Sequence, residues 1–149
     1  AGYRPGRSPV LAETSLGKIG LTICYDLRFP GLFRKLGQAG AEIILVPSAF
    51  SPATGAAHWE VLLRSRAIET GAFVLAAAQT GVHASQSGTP RQTYGHSMAV
   101  GPWGEILSDA RDVPGVNFVQ IELDQVVQAR KRIPSLQHER SFEEVHAEN

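Results

Sequence analysis

Two continuous apolar runs, separated by a segment of helical periodicity, constrain the fold of this chain more than any other feature. The runs are "EIILVPSAF", residues 42–50, and "AFVLAAAQ", residues 72–79, and each is bounded by glycine or proline. Runs of this length are typical of strands buried on both faces of a sheet. The apolar positions between them recur at helical spacing, which predicts a helix over residues 56–71 that is capped at Gly71. A strand–helix–strand order predicts an α/β layered domain.

Weaker patterns complete the predicted elements. Towards the N-terminus we expect strands over residues 10–14 and 18–24, then a helix that begins at Pro30 and ends at Gly40. Towards the C-terminus we expect a long polar loop over 80–95, a hairpin over 96–110, a strand over 117–123, a helix over 124–133 capped by Asp124, and a polar tail over 134–149 that wraps a neighbour or is disordered.

Length, charge and cysteine content exclude several classes of protein. The 149 residues fit one domain, 1–149, and the 14 basic and 14 acidic side chains leave no net charge to attract nucleic acid. The short basic cluster at residues 130–132 predicts a solvated helix face. No apolar stretch is long enough to span a membrane. The single cysteine excludes an internal disulfide and favours a reducing compartment, so we expect a cytoplasmic protein.

That cysteine, Cys24, lies where the strand over 18–24 gives way to a helix. Backbone N–H groups at a helix start stabilise a thiolate, and a sharp strand-to-helix turn projects the side chain out of the sheet. Arg28 adds positive charge four residues later. Free cysteine is also among the most buried residue types and often packs as a small hydrophobic side chain. These local features leave both roles open.

Several long segments in a fixed order resemble the nitrilase superfamily of carbon–nitrogen hydrolases. They are "GKIGLTICYDLRFPGLFRKLGQAGAEIILVPSAF", "TGAAHWEVLLRSRAIETGAFVLAAAQ", "YGHSMAVGPWGEIL" and "RIPSLQHER", and together they cover nearly the whole chain. The combination of "CYDLRFP", "TGAAHWE" and "YGHS" is most similar to the branch of deaminated glutathione amidases, with the omega-amidases as close relatives.

This resemblance implies an α/β fold that is part of a four-layer α-β-β-α sandwich, and a Glu–Lys–Cys catalytic triad. It implies that Cys24 is the nucleophile and that the backbone N–H of Tyr25 belongs to the oxyanion hole. It also implies that Arg28, Phe50 and Thr54 bind substrate, a small carboxylated amide. A guanidinium is well suited to a carboxylate. No cofactor or metal is implied, and the family commonly forms dimers or tetramers, so we expect a homo-oligomer.

The triad glutamate and lysine of the family lie further upstream of the cysteine than this chain extends. Lys18 and Glu13 lack the family's surrounding motifs, so neither is assigned to the triad. The chain therefore resembles roughly the C-terminal half of a family subunit, and we expect it to lack the N-terminal portion of that subunit. From this we expect no amidase activity from the 149 residues alone, and a sheet face that causes aggregation or requires another chain.

Two other functions remain as alternatives. A papain-like enzyme would pair Cys24 with a histidine, for which His58, His83, His96 and His138 are available and His96 is the best placed. A degenerate or truncated homologue would instead serve as a scaffold or binding partner. A metal site is not expected, because the side chains that could bind a metal do not show ligand spacing.

Overall fold

The structure is a computed structural model and describes residue 4, residues 6–85 and residues 88–143. The strands are β1 (Val10–Thr14), β2 (Gly17–Leu21), β3 (Ile43–Leu45), β4 (Phe73–Ala76), β5 (Thr80–His83), β6 (Arg91–Tyr94), β7 (Met98–Val100) and β8 (Ile106–Asp109). The α-helices are α1 (Pro30–Gln38), α2 (Pro52–Thr70) and α3 (Asp124–Arg132), and a short 3₁₀ helix covers Cys24–Arg28.

Six strands form one sheet in the order β1-β2-β3-β4-β7-β8, and β5 pairs with β6 in a separate hairpin. The pairs β2–β3 and β3–β4 are parallel, and the remaining pairs of the sheet are antiparallel. The two apolar runs thus supply the central strands β3 and β4, as predicted. The mixed α/β architecture is confirmed.

Helices α1 and α2 cover one face of this sheet. Their buried side chains interlock with those that the central strands direct towards them, in a core that includes Phe33, Leu36, Trp59, Leu63, Ile44, Val46, Val74 and Val100. Each such side chain contributes about 1.5–3 kcal/mol when fully buried. Gly71 has a φ of 55° and ends α2, because a left-handed residue stops helical hydrogen bonding.

The opposite face is covered only in part. Val126 of α3 packs on Ile43 and Phe73, whereas Leu21 at the end of β2 remains 44% exposed. Arg130 of α3 is half-buried and donates to the carbonyl oxygens of Thr70 and Ala41. The pKa of Arg130 is lowered overall, because burial lowers it more than the nearby Glu42 raises it. The basic cluster over 130–132 is therefore not wholly a solvated face, and that prediction is wrong for its first residue.

Several predicted elements differ in the structure. Residues 80–95 contain the β5–β6 hairpin instead of a loop, although residues 86–87 lie outside the described ones. Residues 117–123 form no strand: their alternation reflects half-burial of Ile121 and Leu123 against the sheet, not hydrogen bonding to a neighbouring strand. Asp124 is the first residue of α3 and does not cap it.

Helix α2 begins at Pro52, one turn earlier than predicted, because Ser51 caps it and proline suits the first helical position. The tail is predicted to wrap a neighbour or to be disordered, but its first part contacts the chain's own helix. Arg34 donates to the carbonyl oxygen of Ser135 and pairs with Glu139, so this segment packs on α1. Residues 144–149 lie outside the described part. No helix of the described residues is long and apolar enough to cross a membrane.

Candidate active site

The prediction that Cys24 ends a strand is wrong. Strand β2 ends at Leu21, and Cys24 is the first residue of the 3₁₀ helix, three residues later. Its backbone N–H donates to the carbonyl oxygen of Pro47 at 2.9 Å, which ties it to the segment after β3. The preceding residue, Ile23, is extended and donates its N–H to Asp26 Oδ2 at 2.9 Å. Cys24 is partly buried and packs against the helix-side core. The turn is thus fixed on both sides of the cysteine.

The backbone of Cys24 is in the left-handed region, with a φ of 46°. For a residue with a Cβ this conformation costs about 1–2 kcal/mol. Strain of this kind persists only where surrounding contacts enforce it, and it is concentrated at active sites and ligand-binding segments. His96 and Arg111 also have a positive φ, so it is the combination of this strained turn with the only thiol of the chain that favours a functional role for Cys24.

Tyr25 follows Cys24, and its backbone N–H forms no hydrogen bond with any described residue. The first N–H groups of a helix have no partner within the helix, so this donor is available to a ligand. The Tyr25 side chain is 65% exposed and its ring packs edge-on against Phe29. The structure thus places an unused N–H donor directly beside the cysteine.

Arg28 is the last residue of the same 3₁₀ helix. Its guanidinium carbon lies 5.5 Å from the ring centroid of Tyr25 and 5.4 Å from that of Phe50. Its Nη1 lies 3.3 Å from Nδ1 of His58 on α2. No carboxylate within the described part of the chain forms an ion pair with Arg28. From the sequence, His58 was considered only as a possible catalytic base, and its contact with Arg28 was not predicted.

Phe50 and Thr54 lie on the segment that joins β3 to α2. Phe50 is 7% exposed and packs against Trp59 with ring centroids 4.7 Å apart. Thr54 is in the first turn of α2, with its hydroxyl 2.9 Å from that of Ser51. Since Thr54 and His58 are four residues apart, they share one face of α2. The structure therefore brings Arg28 and Phe50 into contact and places Thr54 one helical turn from the Arg28 partner.

The β5–β6 hairpin is hydrogen-bonded to the segment that joins β3 to α2. The Tyr94 N–H donates to the carbonyl oxygen of Phe50 at 2.9 Å, and Arg91 donates to that of Ala49 at 2.9 Å. A Cβ on Gly55 would lie 2.1 Å from the Tyr94 ring, so only glycine allows α2 to approach the hairpin this closely. The hairpin that the sequence did not predict thus positions two of the predicted substrate-binding residues.

No histidine in the part of the chain that the structure describes hydrogen-bonds to Cys24. His96 lies 3.0 Å from both carboxylate oxygens of Asp109 and stacks on Tyr94. His83 lies 2.7 Å from the hydroxyl of Thr93. These two histidines have partners within the β-rich half of the chain, and this arrangement gives no support to a papain-like pair.

Lys18 and Glu13 lie directly opposite each other in the β1–β2 hairpin and form an ion pair at 3.6 Å. Six residues of extended chain separate Lys18 from Cys24, on the order of 20 Å. Neither side chain is therefore placed to serve the thiol. Among the described residues, no three histidine, cysteine or acidic side chains lie close enough to hold a metal ion.

Two cavities in the described part of the chain do not involve the predicted site. A cavity of about 500 Å³ beside Trp103 and Ile133, and one of about 420 Å³ beside Leu136, contain none of the predicted site residues. The geometry provides a strained cysteine, a free N–H donor and a guanidinium without a counter-ion. It can bind an anionic ligand and present a thiol to it, but the described residues supply no base.

Known proteins share this sequence and fold. A deaminated glutathione amidase of Yersinia enterocolitica is 50% identical over 138 residues, which are 93% of this chain and 47% of that protein. This chain superposes on the crystal structure of the C. elegans NitFhit protein with a TM-score of 0.84 and 43% sequence identity. The aligned region is 92% of this chain and 32% of the NitFhit chain. The chain thus spans about half or less of the length of these relatives.

A variant amidase from Nesterenkonia sp. AN1, whose structure shows the result of Michael addition of acrylamide at the active-site cysteine, matches with a TM-score of 0.70 at 26% identity. It covers 89% of this chain and 50% of that one. Residues 2–131 match the family model described as carbon–nitrogen hydrolase. Since that match extends over most of the sequence and solved structures share the fold, the chain belongs to the carbon–nitrogen hydrolase family of the nitrilase superfamily.

Proposed function

We propose that this chain is the nucleophile-bearing part of an amidase that hydrolyses a carbon–nitrogen bond in a small carboxylated amide through Cys24. The observation that carries the proposal is the conformation of Cys24. It is held at a φ of 46° at the start of a short helix, beside the unused N–H of Tyr25. An N–H donor beside a nucleophile can stabilise the oxyanion of acyl transfer, and enforced backbone strain is concentrated at functional sites.

In the proposed reaction the thiolate of Cys24 attacks the amide carbonyl carbon, and the carbonyl oxygen becomes an oxyanion that accepts from the Tyr25 N–H. The carbon–nitrogen bond then breaks, and the amine or ammonia leaves with the proton that the base took from the thiol. Water attacks the thioester, which yields the carboxylic acid and regenerates the thiol. The base must come from outside the described residues around Cys24.

Similar proteins support the nucleophile and the substrate class. The Nesterenkonia amidase carries its acrylamide adduct on a cysteine, and Cys24 is the only cysteine of this chain. The Yersinia relative is named for deaminated glutathione, an amide that bears carboxylates. Arg28 would bind a substrate carboxylate, because its guanidinium has no acidic partner among the described residues, and Phe50 and Thr54 would complete the wall around it.

We further propose that the 149 residues alone do not turn over an amide. Lys18 and Glu13 pair with each other at 3.6 Å, about six extended residues from the thiol, which supports this. The alternative, a scaffold without catalysis, predicts no hydrolysis in any context. Assembly as a homo-oligomer and a cytoplasmic location stay predictions.

A chimera tests the proposal: this chain replaces the matching segment of the Yersinia relative, and hydrolysis of deaminated glutathione and of alpha-ketoglutaramate is measured. We expect turnover that Cys24→Ala reduces by at least about 1,000-fold, as loss of a covalent nucleophile does. Turnover by the Cys24→Ala chimera at the unmodified rate would refute the nucleophile. Hydrolysis by the isolated 149 residues would refute their dependence on further segments.

Because the chimera has to fold, a second measurement uses this chain alone. We expect iodoacetamide to alkylate Cys24 faster in the folded chain than in urea at neutral pH, if the turn activates the thiol. A folded rate no higher than the urea-unfolded rate would favour the scaffold.

A further inference from the structure

Arg28 forms no ion pair with a carboxylate in the described part of the chain, whereas three other arginines do. Arg34, Arg64 and Arg66 each pair with a glutamate. Arg28 instead packs between the rings of Tyr25 and Phe50, and its one recorded polar contact is to Nδ1 of His58. A guanidinium near aromatic rings gains cation–π attraction without losing its charge.

This contact assigns a hydrogen-bonding role to each side chain. A guanidinium has five N–H donors and no acceptor, so a hydrogen bond between Arg28 and His58 requires Nδ1 to accept and the ring proton to lie on Nε2. A neutral acceptor orients the guanidinium and uses one of its five donors, whereas a carboxylate at this position would neutralise it and compete with an anionic ligand.

We propose that His58 is a positioning residue that holds the Arg28 guanidinium, between Tyr25 and Phe50, ready for the carboxylate of the substrate. The inference rests on the proposed function, in which Arg28 binds that carboxylate. His58 selects for anionic substrates indirectly: it aims the guanidinium and leaves its charge available. A ligand without a carboxylate gains nothing from the pair.

The helix that carries His58 is well anchored at this point. Trp59, the next residue, is 1% exposed and donates from Nε1 to the carbonyl oxygen of His96 at 2.8 Å. Ser51 caps the helix two turns earlier, with its Oγ 3.4 Å from the Thr54 nitrogen. Because the backbone on which it stands is rigid, the imidazole can hold a long, flexible arginine side chain in one orientation at low entropic cost.

Alkylation of Cys24 in the full 149-residue chain tests this without any amide hydrolysis. The readout is the rate with iodoacetate divided by the rate with iodoacetamide, at low salt and relative to the same ratio in urea. We expect the folded chain to favour the carboxylate reagent, and Arg28→Ala to remove the preference. His58→Ala should lower the ratio by about threefold to tenfold, the worth of one net hydrogen bond.

Two matched variants separate positioning from bulk structure. His58→Asn places an amide oxygen where Nδ1 stands and should retain most of the preference. His58→Glu should pair with Arg28 and lower the ratio below that of His58→Ala. His58 is exposed on a helix, so none of these changes threatens folding. An unchanged ratio in His58→Ala, or an equal loss in His58→Asn and His58→Ala, would overturn the inference.

A spectroscopic measurement tests the contact even if Cys24 reacts slowly with both reagents. In a long-range ¹H–¹⁵N spectrum we expect His58 Nδ1 to resonate as an unprotonated ring nitrogen and Nε2 as a protonated one. Arg28→Ala should perturb the Nδ1 resonance. A proton on Nδ1 would overturn the inference. Amide hydrolysis by the chimera together with an unchanged ratio would reject the role of His58 alone, and the reverse pattern would reject the proposed function alone.

Discussion

Arg66 donates two hydrogen bonds to one backbone oxygen, the carbonyl of Leu27, from Nε at 3.1 Å and from Nη2 at 2.9 Å. Its Nη1 pairs with Glu69 at 2.9 Å, and its side chain is 6% exposed. Leu27 belongs to the 3₁₀ helix that Cys24 opens and Arg28 ends. The buried guanidinium of Arg66 on α2 therefore helps to hold the cysteine-bearing helix in place.

Arg66→Lys should destabilise the chain. The planar guanidinium reaches Leu27 and Glu69 at once from three donors in fixed positions, and a compact ammonium cannot reproduce this arrangement. We expect a loss of about 1–3 kcal/mol in the free energy of unfolding in urea, the cost of a buried carbonyl without its partner. The matched control is Arg64→Lys on the same helix. Arg64 is half-exposed, pairs with Glu60 and donates to the partly buried carbonyl oxygen of Gly104, so its loss should be smaller, at about 1 kcal/mol. Equal losses would contradict the role given to Arg66.

The sequence was informative where burial decides the structure. The apolar runs that became β3 and β4 pack on α1 and α2 on one face and in part on α3 on the other, which accounts for their continuous hydrophobicity. The β5–β6 hairpin was missed because its strands are polar and short, and their backbone hydrogen bonds leave little trace in residue type.

The candidate site divides in the same way. The resemblance predicts that Cys24 is a nucleophile, and that role stays a prediction. Its positive φ could not be read from the sequence, since tertiary contacts enforce it. The contact between Arg28 and His58 joins residues 30 apart, and no local rule predicts it. The one available signal was the spacing of Thr54 and His58, which places both on one helix face beside the substrate-binding segment.

His96→Asn distinguishes a structural histidine from a catalytic one. Asparagine tolerates the left-handed backbone of His96, which has a φ of 58°, but its shorter side chain loses the contact with Asp109. We expect the unfolding free energy to fall by about 1–2 kcal/mol, while the alkylation rate of Cys24 stays within about twofold of the wild-type rate. His83→Asn, which removes the contact with Thr93, is the control. A loss of reactivity confined to His96→Asn would revive the Cys–His alternative.

Glu139 should make the stability of the chain sensitive to acid. A hydrogen bond from Gln38 lowers its pKa below the usual value, burial opposes this, and Arg34 lowers it further. Because the folded-state pKa lies below the unfolded one, the stabilisation is complete above the unfolded pKa and disappears as the pH falls through the folded one.

The corresponding variant is Glu139→Gln. It should be less stable than the wild-type chain at pH 7, and the difference in melting temperature should shrink as the pH drops below about 4.3, the unperturbed value for glutamate. Glu143→Gln, at an exposed position four residues on, serves as the control and should show no such convergence. Parallel melting curves for Glu139→Gln and wild type across this range would show that the contacts with Gln38 and Arg34 contribute nothing.

Leu21, Leu45 and Leu75 lie side by side on β2, β3 and β4, on the sheet face away from α1 and α2. Leu21 is 44% exposed and the other two are half-buried. An uncovered apolar row of this kind favours association, so we expect the chain to self-associate under reducing conditions in sedimentation velocity. Leu21→Arg should weaken that association by about fivefold or more, since it removes apolar area from the contact. Leu16→Arg, at a 73% exposed position in the β1–β2 turn, should leave it unchanged. A monodisperse monomer that unfolds cooperatively at high concentration would mean that this face needs no partner.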